Sequence, residues 1–267
     1  MRIIVLASGK GGVGKSTIAL NLGLALTKYG RQIILIDGNF KSPNIGLMLG
    51  KSNFEETIIS ALEGKEITDC VYKHQSGIRL IPGNISLEHL NKKDINKFNK
   101  SIRKLEEYAE ALIIDTNSGL DDNVDIIKHA TDVILLTTPD FISVTETLKL
   151  IKVIEQNNQT ILGIIVNKYS GKEYDMKIEN IQTLIGKKII GVIQQHKNIL
   201  ESLKLKYPVL YSHPDSPVSE DIEKLACNLI GKEYKKEQVQ QKTKMEIAME
   251  KVGLKKWYEN LLEEDDE

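Results

Sequence analysis

The chain has 267 residues, 41% of them hydrophobic, and a formal net charge of −1. This balance excludes a global electrostatic footprint for nucleic acid or anionic membrane, and the length suffices for one full α/β core. No apolar stretch nears the roughly 20 residues of a spanning helix, and the first apolar run is too short for a signal peptide. The two cysteines, Cys70 and Cys227, form no Cys-x-x-Cys pair and imply neither a disulfide framework nor a metal site. They read as small buried hydrophobes, and the expectation is a soluble cytoplasmic protein.

Ile3-Ile4-Val5-Leu6 is a β-branched apolar run that predicts the first strand. Gly9-Lys10-Gly11-Gly12-Val13-Gly14-Lys15-Ser16-Thr17 follows and fits the phosphate-binding pattern G-x-x-x-x-G-K-[ST]. Its glycines allow consecutive backbone N–H groups to turn inward around a phosphate. Lys15 supplies a charge to the β/γ-phosphates, and the Ser16 hydroxyl is a magnesium ligand in such a motif. Ile18, Leu22, Ala25 and Leu26 recur at helical spacing, so a helix opens with its dipole aimed at the phosphates.

Further apolar runs predict strands at 33–36, 78–81, 111–114, 133–136, 161–166 and 189–193. Near-continuous apolar strands separated by helices indicate a mostly parallel sheet covered on both faces. The expected fold is an α/β P-loop NTPase domain over residues 1–231, with functional loops at the carboxyl ends of the strands. Residues 232–267 form a charged extension. Met245, Met249 and Val252 share one helical face; Leu254, Trp257, Tyr258, Leu261 and Leu262 form another apolar stripe. This tail reads either as a helix packing back on its own domain or as a partner-binding segment. A membrane-surface helix is less favoured, because the acidic end Glu263–Glu267 would be repelled by anionic lipid. The basic run of Lys92, Lys93, Lys97, Lys100, Arg103 and Lys104 contains one aromatic, Phe98, and reads as a solvated helix face rather than a DNA patch.

Lys10 inside the P-loop resembles the signature lysine of the deviant Walker A proteins, the MinD/ParA family, and most of all their MinD branch. The likeness continues through Ile36-Asp37-Gly38-Asn39, Asn44 to Gly50, Leu80-Ile81-Pro82-Gly83, Ile113-Ile114-Asp115, Thr137 to Asp140, Val166-Asn167-Lys168 and His213 to Pro217. The resemblance implies an ATP-dependent homodimer in which Lys10 reaches the partner's nucleotide, with Mg2+ held by Ser16, Asp37 and Asp115. It implies that Asn167 contacts adenine, although a turn asparagine is the alternative reading. It links Asp140 to the partner's Lys10. Catalytic positions carried over are Lys10, Lys15 and Asn39, and the implied role is spatial positioning or regulation through an unidentified protein partner.

Three departures bear on catalysis. Asn39 stands where the family's second aspartate orients the attacking water, and an amide is no proton acceptor. Asn117-Ser118 replaces Pro-Ala after the aspartate of the fourth main strand. Gln194 replaces a proline at the adenine pocket. Nucleotide binding is expected to survive; hydrolysis is expected to be slow. The runner-up reading is a non-hydrolysing ATP-dependent scaffold, and a DNA-partitioning ATPase ranks below it.

Overall fold

Alternation along the first strand decides the architecture. In β1 (Arg2–Ser8), Ile3, Val5 and Ala7 face one core layer, while Ile4 and Leu6 face another. A strand apolar on both faces must lie in the middle of a covered sheet. The computed structural model describes residues 1–40, 42–83, 92–119 and 124–235. It places β1 between β5 (Ala111–Ser118) and β6 (Asp132–Thr137).

The remaining strands are β2 (Ile33–Asp37), β3 (Tyr72–Lys73), β4 (Arg79–Ile81), β7 (Ile161–Tyr169) and β8 (Ile189–Gln194). The sheet order is β3-β4-β2-β5-β1-β6-β7-β8. Every pairing is parallel except β3 with β4. Chain order reverses direction across β1, which opens a crevice at its carboxyl end.

One face carries α1 (Lys15–Lys28) and α10 (Pro217–Leu229), whose Ile18, Leu22, Ile222 and Leu225 are nearly inaccessible. The other carries α4 (Lys92–Arg103), α5 (Val124–Ile127), α6 (Phe141–Gln156) and α7 (Ile178–Ile185), which enclose Phe98, Val144 and Ile181. The remaining described α-helices are α2 (Ile45–Met48), α3 (Ile58–Leu62), α8 (Lys197–Leu205) and α9 (Val209–Ser212).

The expected parallel sheet is present, and the predicted strands fall within or beside the observed ones. Two differences have physical reasons. The antiparallel edge strand β3 is two residues long, too short to carry a hydrophobic period. β5 continues past Asp115 to Ser118, so that Asn117 and Ser118 lie in the strand rather than in a loop after it. Thr116 Oγ1 donates to Leu6 O at 2.8 Å and Gly119 N to Ser8 O at 3.0 Å, which holds this extension against β1. The last described helix ends at Leu229, and the expected tail helices within 236–267 lie outside the described residues. Among the described residues no helix is long and apolar enough to cross a membrane.

Candidate functional site

The P-loop joins β1 to α1 at the crevice. Gly12 has φ 76° and Gly14 φ 92°, conformations that favour glycine. Gly14 is the N-cap of α1, so the first free N–H groups of the helix face the loop's concave side. A cleft of about 570 Å3 opens there, lined by Gly12 to Thr17 together with Asn39, Met48, Ser118 and Leu203. The loop is packed closely from behind. A Cβ on Gly9 would lie 2.9 Å from Glu146 Cβ and closer still to the Glu146 carbonyl. Gly9→Ala therefore forces α6 away from the loop and is expected to cost about 1–3 kcal/mol, seen as a lower urea midpoint at unchanged m-value.

Two side chains of one strand hold the loop's carbonyls outward. Asn167 Nδ2 donates to Val13 O at 2.7 Å, and Lys168 Nζ donates to Gly12 O at 2.7 Å. Pulling carbonyls 12 and 13 back turns the intervening amides toward the cleft. Asn167 is buried against Gly14 and is not a wall of the 570 Å3 cleft. Lys168 did not stand out in the sequence as a support; the signal available was its place beside Asn167 at the end of an apolar run.

Beneath the loop lies a charged cluster. Lys15 Nζ is 3.0 Å from Asp115 Oδ1 and also donates to Thr116 O; Lys15 and Asp115 are both buried. Asp115 Oδ2 is buried without a hydrogen-bond partner among the described residues. Asp37, paired with Asp115 in register across β2 and β5, accepts from Ile45 N at 3.0 Å and Asn39 N at 3.3 Å. Burial, and then the charge of Asp115, push the Asp37 carboxyl up from 3.8 to about 7.

Two adjacent buried carboxylates, one oxygen of them unpartnered, suit a divalent cation, which would also draw on the Ser16 hydroxyl at the loop. Among the described residues no cluster of three or more His, Cys, Asp or Glu is assembled. Such a cation would need oxygens from its nucleotide or from water. The raised carboxyl has a measurable sign. Folding binds a proton to Asp37 between about pH 4 and 7, so its contribution is present at low pH and lost as pH rises through 7. Without Mg2+, the urea midpoint of the wild type is expected to fall from pH 5 to 8, and Asp37→Asn to flatten that slope. The difference at pH 8 is on the order of 3–4 kcal/mol.

Asn39 lies half-buried on the cleft wall, its Oδ1 accepting from Ser42 N at 3.1 Å. Lys10 lies on the other side of the loop, lining a separate cleft of about 330 Å3 with Thr138, Asp140 and Tyr174. Its Nζ is 3.3 Å from Asp140 Oδ1 in the same chain. Burial raises the Asp140 carboxyl, but hydrogen bonds from Thr138, Ser143 and Lys10 and the Lys10 charge outweigh it and hold it below the usual range. Gln194 is fixed by its backbone, whose N–H donates to Asp221 Oδ2 at 2.9 Å, a bond that a proline could not make. The structure thus gathers Lys15, Ser16, Asp37, Asn39 and Asp115 around the loop and sets Lys10 apart from them, half-exposed and paired with Asp140.

Residues 4–209 match the model of the CobQ/CobB/MinD/ParA nucleotide binding domain. The chain belongs to the MinD/ParA family. An ATP-binding protein of Methanocaldococcus jannaschii is 31% identical over 233 residues, covering 86% of this chain and 88% of that protein. The antiactivator FleN of Pseudomonas aeruginosa is 25% identical over 232 residues, 82% of each chain. The septum site-determining protein MinD of Pyrococcus horikoshii, solved in complex with Mg-ADP, is 27% identical. It superposes with a TM-score of 0.75 over 85% of this chain and 95% of its own. The MinD/ParA family resemblance drawn from Lys10 and the P-loop is borne out, as is the parallel P-loop fold.

Proposed function

We propose that the protein is a MinD-type ATP switch. It dimerises when ATP is bound, keeps that state because hydrolysis is slow, and serves spatial positioning or regulation in division, motility or cargo partitioning. The observation that carries the reading is Lys10. It stands on the P-loop yet points away from its own cleft, with a side chain 41% exposed. A loop lysine that leaves its own phosphates free serves a second subunit's nucleotide.

In this reading the amides of Gly11 to Thr17 and Lys15 hold the phosphates. Ser16, Asp37 and Asp115 hold Mg2+, which supplies charge neutralisation between the phosphates. Asn167 has two tasks. Its Nδ2 supports Val13 O, while its Oδ1, without a partner among the described residues, remains for the adenine amino group. The protein acts in the cytoplasm, and a protein partner reads the ATP-bound dimer. Size-exclusion with light scattering in ATP, in ADP and without nucleotide tests this: dimer in ATP alone is expected, and a monomer in all three states would sink it.

Asn39 favours a second reading, a scaffold in which ATP is a permanent structural ligand. Phosphate release at or above about one per minute per subunit rejects the scaffold. The DNA reading is not favoured: Phe98, the one aromatic of the basic run, is buried and cannot stack on a base, and Lys104, just beyond α4, pairs with Glu66 at 3.0 Å.

A further inference from the structure

Beyond α2 the chain passes through Leu49 and Gly50 into a second cleft, of about 630 Å3, separate from the P-loop. Among the described residues its walls carry Lys51, Tyr72, Lys73 and His74, and no carboxylate. Lys51 is held in place, its Nζ 4.4 Å from the ring centre of Tyr72 and 5.1 Å from that of Phe54. Lys206 lies across Gly50: a Cβ there would come within 2.8 Å of Lys206 Cδ.

His74 sets the chemistry. It is 4% exposed. Its Nδ1 accepts from Ser76 N at 3.2 Å and lies 2.9 Å from Ser76 Oγ. An accepting Nδ1 puts the proton on Nε2, which has no partner among the described residues. Burial lowers the His74 pKa, so the ring is a neutral donor at pH 7. Its orientation is fixed: the ring centre is 5.7 Å from that of Tyr207, which stacks on Tyr211 and receives a hydrogen bond from the Gln75 amide. A donor fixed at the wall of a cleft that Lys51 and Lys73 also line suits an acceptor-rich anion.

We propose that this cleft is a second ligand site, which binds a phosphate-bearing small molecule through Lys51, Lys73 and the Nε2–H of His74. Phosphate is favoured over carboxylate. Ammonium groups act as point charges on a tetrahedral oxyanion, whereas the planar carboxylate is matched by the arginine fork, and among the described residues no arginine lines the cleft.

The test reads the site directly. The protein has five histidines, few enough for each ring Cε1–H signal to be followed by NMR. His74 is assigned by the loss of one signal in His74→Gln. Pyrophosphate is titrated into the full chain at constant ionic strength. The His74 signal is expected to shift saturably with a Kd below about 1 mM, and binding to be about tenfold weaker in Lys51→Ala/Lys73→Ala. Unchanged signals from the other histidines show that this variant is folded. If Lys51→Ala perturbs the aromatic packing, Lys73→Ala alone, at an exposed position, is expected to weaken binding about threefold. No saturable shift by about 10 mM, an unchanged Kd in the lysine variants, or an equal response to citrate overturns the proposal.

Discussion

Lys10→Ala is expected to abolish ATP-dependent dimerisation while leaving ATP binding by each subunit within about threefold. The separation follows from where the lysine sits. It is not a wall of the 570 Å3 cleft beneath the helix N-terminus, so its removal takes little from the cradle. Among the described residues it has one ion pair, with Asp140 at 3.3 Å, and both side chains are more than 40% exposed. Such a pair is worth at most about 1 kcal/mol, so the variant stays folded and the partner's nucleotide can outbid Asp140. At a subunit interface the same ammonium is desolvated against phosphate. Charge-assisted hydrogen bonds there are worth about 1.5–3 kcal/mol each, and twofold symmetry doubles the loss. A total near 3–6 kcal/mol is two to four decades in dimer affinity. Light scattering with Mg-ATP checks it, with ATP affinity measured on the same sample. A variant that still dimerises in ATP takes away the central role of Lys10.

Asn39→Asp is expected to raise phosphate release at least about tenfold above a wild type that turns over more slowly than about once per minute. Asn39 already occupies the cleft wall near the P-loop, so the substitution changes chemistry without changing shape. A carboxylate can retain the hydrogen bond from Ser42 N and adds a proton acceptor able to orient water. A positioned acid or base contributes about 10²- to 10⁴-fold, and the lower expected figure reflects Asn117 and Ser118, which also depart from the family pattern. The variant carries a cost. A third carboxylate near Asp37 and Asp115 adds like charge to a cluster that already pushes Asp37 up, so the Mg2+-free protein loses stability at pH 8. Faster turnover with a less stable free form is the expected pair of results. Turnover equal to the wild type's removes position 39 as the reason for slow hydrolysis.

The P-loop was legible in the sequence because it is a local motif: strand, glycine loop and helix lie within 28 residues of one another. The main strands were legible because strands buried on both faces must be continuously apolar. The supports of the site were not. Asn167 and Val13 are 154 positions apart, Lys15 and Asp115 100, and Gln75 and Tyr207 132. Such pairs exist only once the sheet order is set, and composition carries no trace of that order. The edge strand β3 was missed for a different reason. Two residues, half-buried Tyr72 and exposed Lys73, are too few to show a period, yet they build the wall beside His74.

The embrace of Lys15 by Asp115 and Thr116 has a consequence for how ligands arrive. One ammonium cannot neutralise Asp115 and a phosphate together. When Lys15 turns to the nucleotide it abandons a buried carboxylate whose neighbour, Asp37, is another acid. An uncompensated buried charge is strongly destabilising, so a new positive partner must take the lysine's place. Nucleotide without a divalent cation should therefore bind poorly, while the cation alone meets an Asp115 whose Oδ1 is held by Lys15 and whose Oδ2 alone is open. In the proposed ATP-bound state the buried lysine would act as an interlock that favours entry of the two ligands together.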